Sequence, residues 1–204
     1  PIIQPERFTQ PKLMQWLLKQ NISKLNKFWV FRHPAFAGCF VILYTEYMKI
    51  KSPAKLFVSL AITLGAGVLG SFFTSPAVKT WYLSINRPAW NPPSWLFAPV
   101  WTTLFILMGI ALYLVWSESK TKKIKSALNL FTVQMVLNVF WSVIFFGMGN
   151  FWLAFAEILV LWVFILLTMI EFQKVNKTAG LLLLPYLLWV SFASFLNFTI
   201  ASLN

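Results

Sequence analysis

Five long apolar stretches dominate this chain of 204 residues, and each is long enough to cross a lipid bilayer as a helix. A membrane-spanning helix needs about 20 mostly apolar residues, because each residue adds ~1.5 Å and the hydrocarbon core is ~30 Å thick. The stretches are Leu56–Phe73, Trp95–Trp116, Ala127–Met148, Phe151–Phe172 and Gly180–Leu203. Pro99 and Pro185 fall inside them, but a proline in the first turn, or beside packed neighbouring helices, is tolerated. The pattern predicts an all-α membrane protein with a five-transmembrane-helix bundle.

The composition agrees with a membrane protein and argues against several other classes. Only 11% of the residues are charged, against about 25% in a soluble domain, and 59% are hydrophobic, which excludes a disordered basic protein. The single cysteine excludes a disulfide framework and a cysteine metal site. We find no paired carboxylates, no nucleophile with a partner base and no glycine-rich phosphate loop. We therefore expect a binding protein with no metal site and no obligatory cofactor.

The net charge of +12 predicts the orientation of the chain. With five spans, fifteen of the 17 basic residues fall on one side of the membrane, and Lys79 and Arg87 fall on the other. Basic residues favour the cytoplasmic side, so the amino terminus is expected on that side or its equivalent. The membrane explains the basic loops better than nucleic acid does, and we expect no nucleic-acid partner.

Residues 1–55 differ from the rest and are predicted to form a basic extension, separate from the membrane domain at 56–204. They hold nine basic residues and one short apolar patch, Ala35–Tyr44. The patch fits an interfacial helix or a targeting segment, which we favour, or a sixth span over Phe28–Met48. A sixth span would move the six basic residues up to Arg32 to the other side and weaken the charge asymmetry.

Aromatic and polar residues recur at helical spacing within three of the spans. The positions on shared faces are Trp101 and Met108; Asn138, Trp141, Ser142 and Phe145; and Trp189, Ala193, Leu196 and Asn197. Most of them fall in the outer half of the membrane, under the proline- and tryptophan-rich loop Thr74–Ser94. The distribution predicts an aromatic cavity for large planar ligands, closed by a lid. Helix packing by the tryptophans and helix-bridging by the asparagines remain alternatives.

Two further features have more than one interpretation. Glu157 lies within the fourth span, where an acid indicates either a functional group or a solvated or hydrogen-bonded structural one. The small-residue pairs Ala61/Gly65 and Ala66/Gly70 permit close helix approach, either within one bundle or between two protomers.

The loop over residues 81–93 reads WYLSINRPAWNPP and resembles the signature loop of the tryptophan-rich sensory protein family. That family (TspO/MBR) is also called translocator protein or peripheral-type benzodiazepine receptor. Further matches follow in order: PVWT at 99–102, MGIA at 108–111, LN at 137–138, WS at 141–142, FFG at 145–147, LW at 161–162, LPYLLWVSFA at 184–193 and LN at 196–197. The resemblance covers about residues 58–204.

The resemblance implies a five-helix bundle, commonly a homodimer, that binds porphyrins, haem and related tetrapyrroles. Some members of the family bind cholesterol. The family also binds benzodiazepine-type and isoquinoline carboxamide drugs. The ligand-binding wall that it implies here is Tyr82, Pro92, Trp101, Asn138, Trp141, Phe145, Phe146, Trp189, Ala193 and Leu196. Trp81 and Trp90 belong to the lid loop. Residence in a bacterial cell envelope, or in an organelle membrane such as the mitochondrial outer membrane, is implied as well.

We therefore predict an integral membrane receptor or carrier for porphyrins and related hydrophobic planar ligands. The alternatives are a light-dependent porphyrin-degrading enzyme and a sterol or small-molecule transporter. Two departures from the family pattern bear on this. Phe198 stands where the cholesterol-recognition pattern has a Tyr, and no basic residue follows it, which lowers the case for cholesterol. The basic extension at 1–55 is absent from typical short members.

Overall fold

The computed structural model of the chain describes residues 50–118 and 122–204. Within these ranges the secondary structure is helical, and five segments are long and apolar enough to cross a membrane. The segments are Pro53–Lys79, Ser94–Trp116, Ile124–Gly147, Phe151–Val175 and Lys177–Leu203. The predicted fold class is thereby confirmed. Most of the predicted extension, and with it the choice between an interfacial helix and a sixth span, lies outside the described residues.

Helix α1, Pro53–Lys79, is longer at both ends than the sequence predicts. Its amino end is capped by Ser52, whose side chain accepts a hydrogen bond from the Lys55 N–H at 3.4 Å. The loop predicted to begin at Thr74 begins instead at Thr80, because the helix continues through Pro76. Pro76 has no N–H, so the Phe72 carbonyl alone loses its intrahelical partner. The Pro76 carbonyl, near the helix end, accepts a hydrogen bond from the Thr80 hydroxyl at 2.9 Å.

The loop that follows contains two short 3₁₀ turns, Trp81–Leu83 and Ser94–Leu96. Helix α2 then runs over Phe97–Trp116 and helix α3 over Lys122–Ser142. The end of α3 widens into a π-helical segment, Val143–Gly147, which the sequence analysis did not anticipate. A turn at Gly149, whose φ of 65° suits glycine, leads into the fourth span.

Helix α4, Phe151–Val175, is capped by the Asn150 side chain. The fifth span consists of two helices, α5 over Lys177–Leu182 and α6 over Leu184–Leu203. The break at Leu183 places Pro185 in the first turn of α6, where its missing N–H costs least. A single residue, Asn176, connects the fourth and fifth spans.

The helices form a closed ring in which α1 packs on α2 and α3, α3 on α4, α4 on α6, and α5 on α2. Fully buried residues such as Met108, Val115, Ile158 and Ile165 fill the centre. We call the end with residues 80–93 and Asn204 the loop end. We call the opposite end, where α1, α3 and α5 begin, the lysine end.

The two small-residue pairs of α1, Ala61/Gly65 and Ala66/Gly70, lie on different faces of the helix. A Cβ on Gly70 would lie 3.1 Å from the Ser142 Oγ of the helix opposite, so Ala66/Gly70 faces the bundle interior. Gly65 is exposed, and a Cβ added to it would have no atom within 4 Å, so Ala61/Gly65 faces outward. Association of two protomers through that outer face stays a prediction.

Candidate functional site

A cavity of about 550 Å³ lies between the helices at the loop end. Nine of the ten residues predicted to bind ligand line it, namely Tyr82, Trp101, Asn138, Trp141, Phe145, Phe146, Trp189, Ala193 and Leu196. Pro92 does not line it, and its carbonyl instead accepts a hydrogen bond from the Asn91 amide at 2.9 Å. The structure thus brings the predicted set together with one exception, while ligand binding by these residues stays a prediction.

The α3 wall owes its density of aromatic rings to the π-helical segment. A π turn adds a residue to the helical repeat and changes which side chains face inward. Phe145 and Phe146 are consecutive, yet both are buried and their ring centres are 4.8 Å apart. Trp141 stacks on Phe145 with ring centres 5.2 Å apart, which extends the aromatic surface one turn further from the loop.

Asparagines tie this wall to the helices opposite. The Trp141 indole N–H donates to the Asn197 Oδ1 at 3.1 Å, and the Asn197 amide donates to the Phe151 carbonyl at 2.9 Å. Asn138 donates through Nδ2 to the Tyr186 hydroxyl at 2.8 Å. Each asparagine therefore bridges two helices and also lines the cavity. Helix-bridging and a place in the cavity wall, which the sequence left as alternatives, occur together.

The opposite wall is built by α2 and α6, with aromatic contacts between them. The ring of Phe97 meets that of Trp189 edge-on at 6.5 Å, and Trp101 meets Tyr186 at 6.3 Å. The buried indole N–H of Trp189 has no hydrogen-bond partner among the described residues. An unpaired donor in a largely aromatic wall is suited to orient a ligand that carries an acceptor.

Tyr82 closes the cavity at the loop end. Its side chain is only 2% exposed, and its ring lies 5.8 Å from Phe146 and 6.4 Å from Phe97. Its hydroxyl donates to the Asn91 Oδ1 at 2.8 Å. Burial raises the pKa of the Tyr82 phenol from 10.0 to about 12, although the Arg87 charge and the Asn91 hydrogen bond act in the opposite direction. The phenol therefore stays protonated, and remains a donor, at any physiological pH.

The two lid tryptophans take different positions. Trp81, the residue before Tyr82, packs on Phe146 and Phe151, with ring centres 6.4 and 6.0 Å apart. Trp90 is 43% exposed and stacks on Phe195 of α6 at 5.2 Å, outside the cavity wall. Trp81 is thus part of the closed loop end, whereas Trp90 fastens the loop to the outer face of α6.

The sequence analysis missed the contribution of α1. Its lining residues include Gly67, Ser71, Thr74 and Val78, whose spacing of four, three and four residues marks one helix face. That spacing was a usable signal, since small and polar residues there interrupt an otherwise apolar helix. Exposed residues of α1 and α2, such as Ser71 and Thr102, belong to the wall, so the cavity reaches the surface between these two helices.

Glu157 does not line the cavity. Both of its carboxyl oxygens are buried and have no hydrogen-bond partner among the described residues. The hydrogen-bonded structural role is therefore not observed there, and the functional interpretation stays open. Among the described residues as a whole, no three His, Cys, Asp or Glu side chains come together in a way that could hold a metal ion.

Comparison with known proteins extends over most of the membrane domain. A profile of the TspO/MBR family matches residues 57–203. The chain is 47% identical over 155 residues to "Tryptophan-rich protein TspO" of Chlorobaculum tepidum, a match that covers 76% of this chain and 98% of the relative. It is 43% identical over 150 residues to the protein of the same name from Archaeoglobus fulgidus, covering 74% and 97%.

The similarity reaches vertebrate proteins. The human "Translocator protein" is 38% identical over 150 residues, which covers 72% of this chain and 88% of the relative. The family match at residues 57–203 covers the residues of the cavity wall and the five membrane-spanning segments, apart from Pro53–Leu56 at the start of the first. The chain is a multi-pass integral membrane protein and belongs to the TspO/MBR family.

Proposed function

We propose that this protein is a membrane receptor or carrier that binds porphyrins, such as haem and protoporphyrin, and related hydrophobic planar ligands. The observation that carries the proposal is the cavity of about 550 Å³ at the loop end, with Trp101, Trp141 and Trp189 in its wall. Its size falls in the range of about 300–1,000 Å³ that is typical of small-molecule sites.

The chemistry of the wall favours a flat aromatic ligand. Stacked and edge-on rings offer large rigid surfaces at low entropic cost, and a few amide and indole groups can fix orientation. No histidine, cysteine or methionine occurs among the described residues that line the cavity. We therefore base recognition on the ring system of the ligand rather than on ligation of a central metal.

Tryptophan fluorescence tests the proposal directly. Full-length protein in an uncharged detergent is titrated with protoporphyrin, and the dissociation constant is compared among wild type, Trp141→Phe and Trp189→Phe. We expect saturable quenching by wild type and affinity reduced about 3–10-fold in each variant, because each loses ring area and an indole donor.

Trp152→Phe is the matched control, since Trp152 is 56% exposed on the outside of α4 and does not line the cavity. It should titrate like wild type. Quenching by wild type that does not saturate, or identical affinities for all four proteins, would falsify the proposal.

A further inference from the structure

One charged side chain, that of Lys79, lines the cavity among the residues that the structure describes. It is exposed in the last turn of α1, at the loop end. Three other lysines of the described part, Lys51, Lys55 and Lys174, have polar partners. Lys51 pairs with Glu118 at 3.8 Å, and Lys55 donates to the Trp116 carbonyl at 3.0 Å. The Lys79 ammonium group has no such partner in residues 50–118 or 122–204.

The described cavity wall and the loop over residues 80–93 hold no acidic side chain that could neutralise Lys79. The Arg87 guanidinium lies 5.3 Å from the centre of the Tyr82 ring, and Tyr82 is a wall residue. No aspartate or glutamate occurs in residues 80–93, and none lines the cavity within the described ranges. The rim of the cavity thus holds one cation, Lys79, with no carboxylate partner among the described residues, and a second cation, Arg87, lies against the wall residue Tyr82.

We propose that Lys79 forms an anion-binding subsite at the mouth of the cavity and takes a carboxylate carried on the edge of the ligand. The subsite rests on the proposed function and narrows it to planar apolar molecules with an acidic substituent. The apolar ring system occupies the space between the tryptophans, and the acid remains at the rim. Low-dielectric walls reduce screening there, so a charge-assisted hydrogen bond from the flexible lysine is stronger than in open water.

A second source of the same oxyanion chemistry is the phosphate of a phospholipid headgroup. The cavity reaches the surface between α1 and α2, on the side where Lys79 lies, so such a headgroup competes for the same cation. The experiment must therefore separate an acid that belongs to the ligand from one that belongs to a lipid.

The test compares protoporphyrin, which carries two carboxylates, with its dimethyl ester, which has the same ring and no negative charge. Both are titrated against full-length wild type, Lys79→Met, Lys79→Arg and Lys125→Met in an uncharged detergent at low salt. Lys125 is an exposed lysine at the lysine end and supplies the matched control.

We expect wild type to bind the acid about 3–10-fold more tightly than the ester. Lys79→Met should lose most of this preference while its affinity for the ester stays unchanged, which also shows that it is folded. Lys79→Arg should keep the preference, and Lys125→Met should match wild type.

An acid preference that survives in Lys79→Met, or an equal loss for acid and ester, overturns the subsite and leaves porphyrin binding intact. Added phosphatidylglycerol that abolishes the preference, where phosphatidylcholine does not, reassigns the cation to a lipid phosphate and overturns the proposal. Failure of both porphyrins to bind wild type contradicts the proposed function instead.

Discussion

Gly109 of α2 and Gly65 of α1 differ in what a methyl group would meet. A Cβ on Gly109 would lie 2.8 Å from the Leu60 side chain and from the Thr63 Oγ1, and 3.1 Å from the Leu60 Cα. Backbone at that distance cannot move without shifting α1 as a whole. A Cβ on Gly65 would have no atom within 4 Å. Close packing of α1 on α2 therefore requires glycine at only one of these two positions.

Substitution of Gly109 by Ala should lower the stability of the protein by about 1–3 kcal/mol through overpacking. Gly65→Ala should be neutral or stabilising by up to about 1 kcal/mol, because alanine restricts the unfolded chain and favours the helix. Thermal unfolding of both variants in detergent measures the difference. A Gly109→Ala protein that melts at or above wild type would show that the two helices do not approach this closely. A clear loss in Gly65→Ala would indicate that the outer face of α1 is covered by a second protomer.

At the scale of the helices, the sequence predicted the number, order and approximate positions of the spans. Hydrophobic length decides these features, and α2 and α4 end or begin where the apolar stretches do. Hydrophobic length does not predict where α1 begins and ends, nor the break at Leu183. Polar side chains and packing, rather than hydropathy, decide whether a helix passes Pro76 or stops before Pro185.

In the cavity wall, too, some residues could be predicted from the sequence pattern and others depend on the folded structure. Helical spacing found Trp101, Trp141 and Trp189, because aromatic residues stand out among aliphatic ones. The pairing of Phe145 with Phe146 in one wall depends on the π-helical segment, which no regular period predicts. The wall supplied by α1 depends on which face of α1 turns toward its neighbours, and tertiary packing decides that.

The loop over residues 80–93 is held to the end of α6 by a reciprocal pair of hydrogen bonds. The Asn86 N–H donates to the Asn204 Oδ1 at 3.0 Å, and the Asn204 amide donates to the Asn86 carbonyl at 2.9 Å. The Asn86 side chain adds a bond to the Leu203 carbonyl at 3.1 Å. The lid is therefore fastened at the carboxyl end of α6, where the Asn204 amide also donates to the carbonyl of Ile200, a residue that lines the cavity, at 2.9 Å.

Substitution of Asn204 by Ala should loosen the lid. It removes two of the three hydrogen bonds between the loop and α6, together with the bond from Asn204 to the Ile200 carbonyl within α6. The loss at the loop is about 1–2 kcal/mol, which corresponds to amide exchange about 5–30-fold faster at Asn86. Hydrogen exchange of the detergent-solubilised protein measures this change. Ser202→Ala is the control, because the Ser202 hydroxyl bonds only to the Phe198 carbonyl within α6. Unchanged exchange in Asn204→Ala would mean that the loop is held by its aromatic contacts alone.

The charge of the whole molecule is divided between the two ends of the bundle. Among the described basic side chains, the loop end has Lys79 and Arg87, whereas the lysine end has Lys51, Lys55, Lys125, Lys174 and Lys177. Lysine and arginine are retained on the cytoplasmic side during insertion, so the lysine end should face the cytoplasm. The cavity, its lid and the unpaired Lys79 would then open toward the opposite side of the membrane.

Cysteine labelling in a bacterial expression host tests this orientation. Cys39, the only cysteine of the chain, is replaced by Ser, and either Ser84→Cys or Thr178→Cys is added. Both positions are exposed, Ser84 at the loop end and Thr178 at the lysine end. A maleimide that cannot cross the inner membrane should label the Ser84→Cys protein in cells with a permeable outer membrane. It should label the Thr178→Cys protein only after the inner membrane is opened. The reverse pattern would place the cavity on the cytoplasmic side, and ligand would then have to be supplied from within the cell.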